Sequence, residues 1–395
     1  MRKVKAVIWI LFLIGALSLN SQVAAQSFGK PSWLKPGMRL TYYAAAASVP
    51  GSFASLVPDP DGRYRDPVTG QMLSEQAIPG ASGHGYTEVT LAALDDQTAV
   101  LDIRSLGLNP ANNNSRSLLT YSAKVAAPDD AEFWKHPGRL AELRNNPAAG
   151  IAIYRMRYPM NGRTFNAVRI NTKAASVVYD TDSGLLLFSS SVSVGASVWV
   201  LNGGASAGLG AGSTLLTQSR LLDVRQPAFP WTTAPPPTWF AQLHAIDLQG
   251  RVTIEVLSAG TVTLPIAGRI DLRGGGENWR SYRITTRITQ TGGLPQIPTA
   301  LDRASGPGSL GALGVDPQSL ARLAPGRLLD DDRTTGMRTT VASADSQTVV
   351  IAEQGSGLSI AYEYDVRTGR LVRAQVVTTL PTGRETVEYR LVNPR

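Results

Sequence analysis

The stretch Ser359-Ile360-Ala361-Tyr362-Glu363-Tyr364-Asp365-Val366-Arg367-Thr368-Gly369-Arg370-Leu371 decides the fold. Successive side chains of a strand point to opposite faces, so Ile360, Tyr362 and Tyr364 share one apolar face. Asp365 can accept from the backbone amides just ahead of it and open a type I turn. Gly369 takes the positive φ that closes a hairpin with a bulge. The stretch therefore reads as a strand running into a hairpin.

The same Asp-x-x-Ser/Thr-Gly string recurs at Asp66 to Gly70, Asp180 to Gly184 and Asp332 to Gly336. Alternation recurs with it. Tyr282, Ile284 and Ile288 oppose Arg283, Thr285, Arg287 and Thr289; Val252, Ile254 and Val256 oppose Arg251, Thr253 and Glu255; Val387, Tyr389 and Leu391 repeat the pattern. One polar and one apolar face imply antiparallel sheets covered on one side. The fold class is mainly β, with antiparallel sheets of half-barrel or sandwich type, an internal duplication and a few short helices.

The duplication rests on matched strings. Leu34-Lys35-Pro36-Gly37 answers Leu323-Ala324-Pro325-Gly326, and each precedes an Asp turn, at Asp66 or Asp332. Residues 93–100 (Ala-Leu-Asp-Asp-Gln-Thr-Ala-Val) match 343–350 (Ser-Ala-Asp-Ser-Gln-Thr-Val-Val). Tyr179-Asp180 to Leu186 matches Tyr364-Asp365 to Leu371. We read a β unit that is compact in its second copy and expanded in its first.

The insertion in the first copy holds helical signals. Asp129 and Asp130 are placed to cap a helix through Trp134, Pro137-Gly138 breaks it, and Arg139 to Arg144 forms a further turn or two. A hairpin follows, with Asn161-Gly162 between Ile151–Tyr158 and Arg163–Ile170. Asp316 and Pro317 open a short helix through Leu323. The expected divisions are residues 1–25, a signal peptide; 26–214, an N-terminal β domain with a helical insertion at about 105–150; 215–300, a middle β region; and 301–395, the C-terminal β repeat. The Gly/Ala/Ser stretch 203–213, the prolines of 231–237 and the loop 292–314 mark the boundaries.

Arg2, Lys3 and Lys5 precede an uncharged apolar run from Ala6 to Leu19, and Val23-Ala24-Ala25 closes with small residues. This is the order that export machinery and signal peptidase recognise, and the run is shorter than the roughly 20 residues of a membrane-spanning helix. The expectation is an exported protein, periplasmic or extracellular. Cysteine is absent, so it is not a lipoprotein, has no disulfides, and offers no thiolate as metal ligand or nucleophile. Later segments contain no integral membrane span, and a lipid-facing barrel fits poorly with strand faces that carry Arg and Glu.

Three of the 38 basic residues lie in the signal and no acid does, so the remainder carries 35 against 30, a formal +5. The arginines are scattered singly, without the cluster of a nucleic-acid footprint. Gly204-Ala205-Ser206-Ala207-Gly208 has the letters of a serine-hydrolase elbow but no helix start after it, and reads as a linker. Gly306 to Gly311 matches a dinucleotide fingerprint without a βαβ unit, and reads as a loop. Asp59-Pro60-Asp61-Gly62 and Asp330-Asp331-Asp332 read as polar turns. His84, His136 and His244 lack zinc spacing. No cofactor or metal is implied.

One strand bears on function. From Leu186 to Val200 the even positions are mostly bulky, while the odd ones include Ser189, Ser191, Ser193, Gly195, Ser197 and Trp199. A strand with one nearly flat face leaves room for a ligand along the sheet, so Ser189, Ser191, Ser193, Ser197 and Trp199 are the candidate ligand-binding residues, with Trp199 as an aromatic contact. The broad outline resembles secreted half-barrel proteins that carry lipids or lipoproteins, a likeness of architecture without a shared motif. The expected function is a non-catalytic binding or scaffolding protein whose partner is an apolar small molecule, a lipid or a cell-envelope polymer. The alternatives are a secreted hydrolase acting on a polymer and a structural envelope protein.

Cleavage after Ala25 predicts that protein recovered from an exporting host begins at Gln26. Intact-mass measurement tests this, and a mass that retains residues 1–25 would refute it.

Overall fold

The computed structural model describes residues 28–49, 64–65, 72–73, 81–109, 115–172, 175–194, 214–289 and 299–392. The described residues are mostly antiparallel β, 64% strand and 7% helix, in two large open sheets of nine and ten strands with two short α-helices. The first strands are β1 (Arg39–Val49), β2 (Tyr64–Arg65), β3 (Met72–Leu73), β4 (Ala81–Leu94), β5 (Ala99–Asn109), β6 (Ser115–Ala126), β7 (Asp130–Ala131) and β8 (Trp134–Lys135). After α1 (Pro137–Glu142) come β9 (Ala152–Met160), β10 (Arg163–Asn171), β11 (Ala175–Asp180), β12 (Leu186–Val194) and β13 (Thr214–Arg225). Then follow β14 (Ala245–Val256), β15 (Gly260–Gly275), β16 (Arg280–Ile288), β17 (Thr299–Ser305), α2 (Pro317–Ala321) and β18 (Leu328–Asp332). The last are β19 (Met337–Ala344), β20 (Thr348–Gly355), β21 (Leu358–Asp365), β22 (Leu371–Leu380) and β23 (Gly383–Val392).

The nine-stranded sheet has the order β6-β5-β4-β1-β13-β12-β11-β10-β9, and the ten-stranded sheet β17-β16-β15-β14-β23-β22-β21-β20-β19-β18. The chain divides into two compact units. The first comprises Met1–Trp33, Tyr42–Gly85 and Ala127–Leu222, and the second Leu34–Thr41, Tyr86–Ala126 and Asp223–Arg395.

In the first unit, Tyr42, Phe133, Trp134, Val168, Tyr179 and Phe188 are buried. In the second unit the core is larger. The apolar faces of β14, β16, β21 and β22 bury Leu248, Ile284, Ile360, Tyr362 and Ala374 together with Trp231, Phe240 and Leu320. Strand β6 lies against β17, β21 and β22, so part of the ten-stranded sheet is covered within this unit. Alternation is nearly perfect on β21, where every second residue from Leu358 to Tyr364 is buried.

Three of the four Asp-x-x-Ser/Thr-Gly strings fall on described residues and share one geometry; Asp66 to Gly70 lies outside them. The amides of Ser183, Thr335 and Thr368 donate to the carboxylates of Asp180, Asp332 and Asp365 at 3.0, 3.1 and 2.7 Å. The Gly184, Gly336 and Gly369 amides donate to the carbonyls of the same aspartates at 2.8, 2.7 and 2.9 Å. All three glycines have φ near +70 to +79°, the left-handed conformation that glycine adopts without cost.

The matched strings are matched in hydrogen bonding. Trp33 Nε1 donates to Ser183 O at 2.7 Å in the first unit, and Trp239 Nε1 donates to Thr368 O at 2.8 Å in the second. Beside the first turn, Lys135 N donates to Gly184 O and Leu186 N to Phe133 O. Beside the second, Val315 N donates to Gly369 O and Leu371 N to Leu313 O. Gly37 N donates to Leu91 O as Gly326 N does to Val341 O, both at 2.8 Å, and Asp95 and Asp345 donate to Thr98 O and Thr348 O, both at 2.9 Å. The internal duplication is therefore a duplication of turn and brace, each turn being held by an indole and a third segment of backbone.

That brace corrects one expectation. Residues 129–134 form no helix; β7 and β8 make a small ladder instead. Phe133 and Lys135 spend their backbone groups on the Asp180 turn, and Trp134 is buried with its indole donating to Pro128 O at 2.9 Å. A helix there would withdraw those groups into its own ladder. The helix begins at Pro137, whose fixed φ suits a first turn, and His136 Nδ1 accepts from Gly138 N at 3.1 Å. The β9–β10 hairpin is present and turns at Asn161 and Gly162, both with positive φ, and Asp316 caps α2 by accepting from Ser319 N. Two further readings are corrected: residues 299–305 of the expected loop 292–314 form β17, which pairs with β16, and Asp330 to Asp332, expected as a polar turn, lie on β18, which pairs with β19.

A Cβ at Gly369 would run into Val315 O, whereas one at Gly326, also at positive φ, would meet open space. Gly326→Ala is expected to cost about 1–2 kcal/mol of stability, the strain of a left-handed alanine, and Gly369→Ala at least about 2 kcal/mol more, because the bracing backbone must move. Urea unfolding of the two variants checks this; equal losses would show that the brace does not matter.

Candidate functional site

The sequence points to the flat face of β12. Ser189 and Ser191 lie there half-buried, in direct register with Ser219 and Thr217 of β13. The hydroxyls pair across the strands, Ser189 Oγ to Ser219 Oγ and Ser191 Oγ to Thr217 Oγ1, each at 2.7 Å. Each pair uses one of its two hydroxyl hydrogens, and in the second pair Thr217 Oγ1 also reaches Ser191 O at 3.5 Å. Ser193 pairs in the ladder with Leu215. Ser197 and Trp199 lie outside the described residues, as does Ser206. The ladder is a row of small hydroxyls that neighbouring threonine and serine side chains already occupy in part.

Sequence reading did not find the ionic cluster buried in the second unit. Arg39 on β1, Glu88 on β4, Arg104 on β5, Arg225 at the end of β13, Asp330 and Asp332 on β18 and Glu353 on β20 converge there. Arg104 grips Glu353 through both terminal nitrogens, with Nη2 to Oε1 at 2.6 Å, and its Nε bonds Glu88. Arg39 Nη1 lies 3.1 Å from Asp330 and 3.4 Å from Glu353. Arg225 Nη2 lies 2.7 Å from Asp332 and 3.3 Å from Glu88, and its Nη1 donates to Thr41 at 2.8 Å.

Three guanidiniums thus face four carboxylates. Burial alone would raise the pKa of Glu88, but Arg104, Arg39 and Arg225 outweigh it and hold the carboxyl at about 2. Burial and Arg104 oppose each other at Glu353 in the same way, and the result is again a lowered value. At Asp332 burial wins over Arg225 and Thr335, and its pKa is raised. A second buried pair, Arg303 and Asp102 at 2.7 Å, has its guanidinium 4.0 Å above the Tyr121 ring. The charges are spent on one another, and what they do is tie strands together.

A shallow recess of about 620 Å³ in the first unit is lined by Ala141, Leu143, Arg144, Asn145, Ile153 and Arg155. Both arginines donate to carbonyls at the C-terminal end of α1, Arg144 to Ala141 and Leu143, and Arg155 to Leu140 and Ala141. They cap that helix end. Of the histidines, His136 caps α1, His84 lies by the Tyr43 ring, and His244 is exposed. Among the described residues no group of three or more His, Asp or Glu side chains is placed to hold a metal ion.

The feature that stands out is the open end of the ten-stranded sheet. Ladder partners face the same way, so register defines rows across the strands. The row Ile360, Val376, Val387, Val252, Leu264 runs over β21, β22, β23, β14 and β15. Next to it, toward the hairpin ends, run Leu358, Thr378, Glu385, Ile254 and Val262. These rows continue the face that carries Tyr362 and Ala374 in the core. Exposure rises along them: Leu358 and Ile360 are buried, Val376, Val387, Val252 and Leu264 are half-buried, and Ile254 and Val262 are 37% and 53% exposed. The opposite face is polar, with Arg251, Thr253, Glu255, Thr263 and Thr386. Alternation revealed the apolar face of β14; its lack of cover depends on how far β6 reaches, which no local pattern encodes.

No family model matches the chain, and no curated protein matches it. Among solved structures, a protein of unknown function from the DUF3598 family of Nostoc punctiforme is similar over 89% of this chain and 95% of its own, at 10% identity and a TM-score of 0.14. No helix among the described residues is long and apolar enough to cross a membrane.

Removing Arg104 strands Glu353 and Glu88, so Arg104→Ala is expected to cost about 3–5 kcal/mol near pH 7. The sign with pH follows from the lowered values. Glu88 and Glu353 contribute fully above the ordinary carboxyl pKa, and their contribution fades as pH falls toward about 2 for Glu88. In the variant both carboxyls can take up protons at moderate acidity, so its deficit shrinks between pH 7 and pH 3. Denaturant unfolding at several pH values reads this; a deficit independent of pH would mean that the cluster acts by packing alone.

Proposed function

We propose that the protein is an exported, non-catalytic binding protein of the cell envelope that holds an apolar, lipid-like ligand against the open end of its ten-stranded sheet. The observation that carries this is the apolar face of Val252, Leu264, Val376 and Val387, which continues the core outward into solvent-exposed Ile254 and Val262. Exposed apolar area is costly in water, and a contiguous patch on a strand face marks a place where something binds. The chemistry of the face favours a hydrocarbon: its side chains are branched aliphatics, with Thr378 and Glu385 as the polar members of the two rows. The β12 hydroxyl ladder, the site expected from sequence, stays a secondary candidate, with Ser189 and Ser191 the described positions to test.

Uptake of a fluorescent fatty acid from solution tests this. Val252→Glu is expected to weaken uptake by about tenfold or more, since an ionised carboxylate must lie against the hydrocarbon. Thr253→Glu, on the polar face of the same strand, should leave uptake unchanged and serves as the folding control. Equal uptake by both variants and the unaltered protein would refute the proposal.

A further inference from the structure

Beyond the apolar rows, two hairpin ends lie side by side. The β14–β15 turn spans 256–260 and the β22–β23 turn spans 380–383, and they are laced by Leu257 N donating to Thr382 O at 3.0 Å. Within the first turn, Ala259 N donates to Val256 O at 3.1 Å, and Gly260 has φ +89°. Leu257 is 85% exposed, more than any other large apolar side chain among the described residues. With Val262 it forms an aliphatic tip beside Ile254, whose ladder partner on β23 is Glu385.

The charge pattern says what fits there. Residues 256–268 and 374–383 contain no charged side chain, so each turn and one arm of each hairpin are neutral, while Glu255, Arg384 and Glu385 begin the other arms. Strands β14 to β17, β22 and β23 together hold ten arginines, six acids and no lysine, a net +4. Protein interfaces draw on aromatic residues and arginine at their centres; this tip has neither, only Leu, Val, Ile, Ala, Gly and Pro with Ser, Thr and one Gln. The amides of Leu257 and Ala259 are already bonded, which lowers the cost of moving the turn out of water. An uncharged aliphatic tip with hydroxyls beside it and a cationic field behind it matches a phospholipid surface, where the aliphatics enter the acyl region and the arginines face anionic headgroups.

We propose that the paired β14–β15 and β22–β23 hairpin ends dock the protein on a phospholipid membrane surface, with Leu257 and Val262 entering the bilayer. This rests on the apolar-ligand reading only in that the docked tip lies next to the proposed ligand face.

Cosedimentation with phosphatidylcholine vesicles, with and without phosphatidylglycerol, tests the docking. The mature protein should sediment with both and more strongly with the anionic ones, the difference vanishing at high salt. Leu257→Glu, at an exposed turn position outside the ligand face, should lower binding by about tenfold or more. Protein left in the supernatant with both vesicles would overturn the proposal, as would a Leu257→Glu variant that still sediments. So would a dimer in vesicle-free buffer that Leu257→Glu dissolves, since the tip would then belong to a second copy. Fatty-acid uptake from solution separates the two readings. A Leu257→Glu variant that takes up the probe but does not sediment leaves the ligand site intact and locates docking at the tip. A protein that sediments but takes up no probe retains docking and loses the ligand reading.

Discussion

Glu353 is wholly buried, and an ionised carboxylate in that position is tolerable only because Arg104 meets both of its oxygens. Much of the second unit depends on this pair. Desolvating a carboxylate costs several kcal/mol, repaid only when geometry and further hydrogen bonds are nearly complete. Arg104 on β5 and Glu353 on β20 therefore have to sit where they do, which places β5 against the ten-stranded sheet. Glu88, Arg39 and Arg225 extend the requirement to β4, to the start of β1 and to the end of β13, segments far apart in sequence. In a chain without cysteine, this cluster does what a set of cross-links would otherwise do: it specifies which strands meet.

The duplicated turns impose a second, local constraint. An Asp turn satisfies its own amides, but it leaves carbonyls on its outer side. In each unit a tryptophan indole and a bracing backbone segment take these up, and the same donors recur: Trp33 with Lys135, and Trp239 with Val315. The bracing segments occupy different places in chain order, 133–135 after the first Asp95 motif and 313–315 before the matching Asp345. What the two copies share is therefore a hydrogen-bonding solution more than a linear arrangement.

This difference explains what could be read from the amino acids. Strand alternation, the Asp turns at Asp180, Asp332 and Asp365, the Asn161-Gly162 hairpin and the Asp316 cap are local patterns, each governed by residues within a few positions, and all appear in the fold. Phe133 to Lys135 failed as a helix because their backbone groups bond to a turn some fifty residues away. The ionic cluster was illegible for the same reason: Arg39, Glu88 and Glu353 look like ordinary strand residues until the sheets meet. On β12 the small side chains were visible in sequence, but their hydroxyl partners Ser219 and Thr217 come from β13, across the stretch 195–213 that lies outside the described residues. The open apolar face was half legible. Val252, Ile254 and Val256 announced an inward-facing side, and nothing in them announced that β6 lies over β17, β21 and β22.

The two ends of the ten-stranded sheet's apolar face thus obey opposite rules. At one end, buried charge is admitted because guanidiniums and carboxylates satisfy one another, and the strands are locked. At the other, residues 256–268 and 374–383 carry no charge, although the chain as a whole is 17% charged, and Glu385 is the one charged member of the two apolar rows. A hairpin end that only had to remain in water would gain solubility from a lysine or glutamate at Leu257 or Val262, and edges of sheets commonly carry such residues. Keeping the tip aliphatic forgoes that protection. The same sheet that supplies Asp330, Asp332 and Glu353 to a buried ionic cluster leaves its most exposed leucine without a charge beside it in the turn, and this asymmetry favours a ligand face and a docking tip.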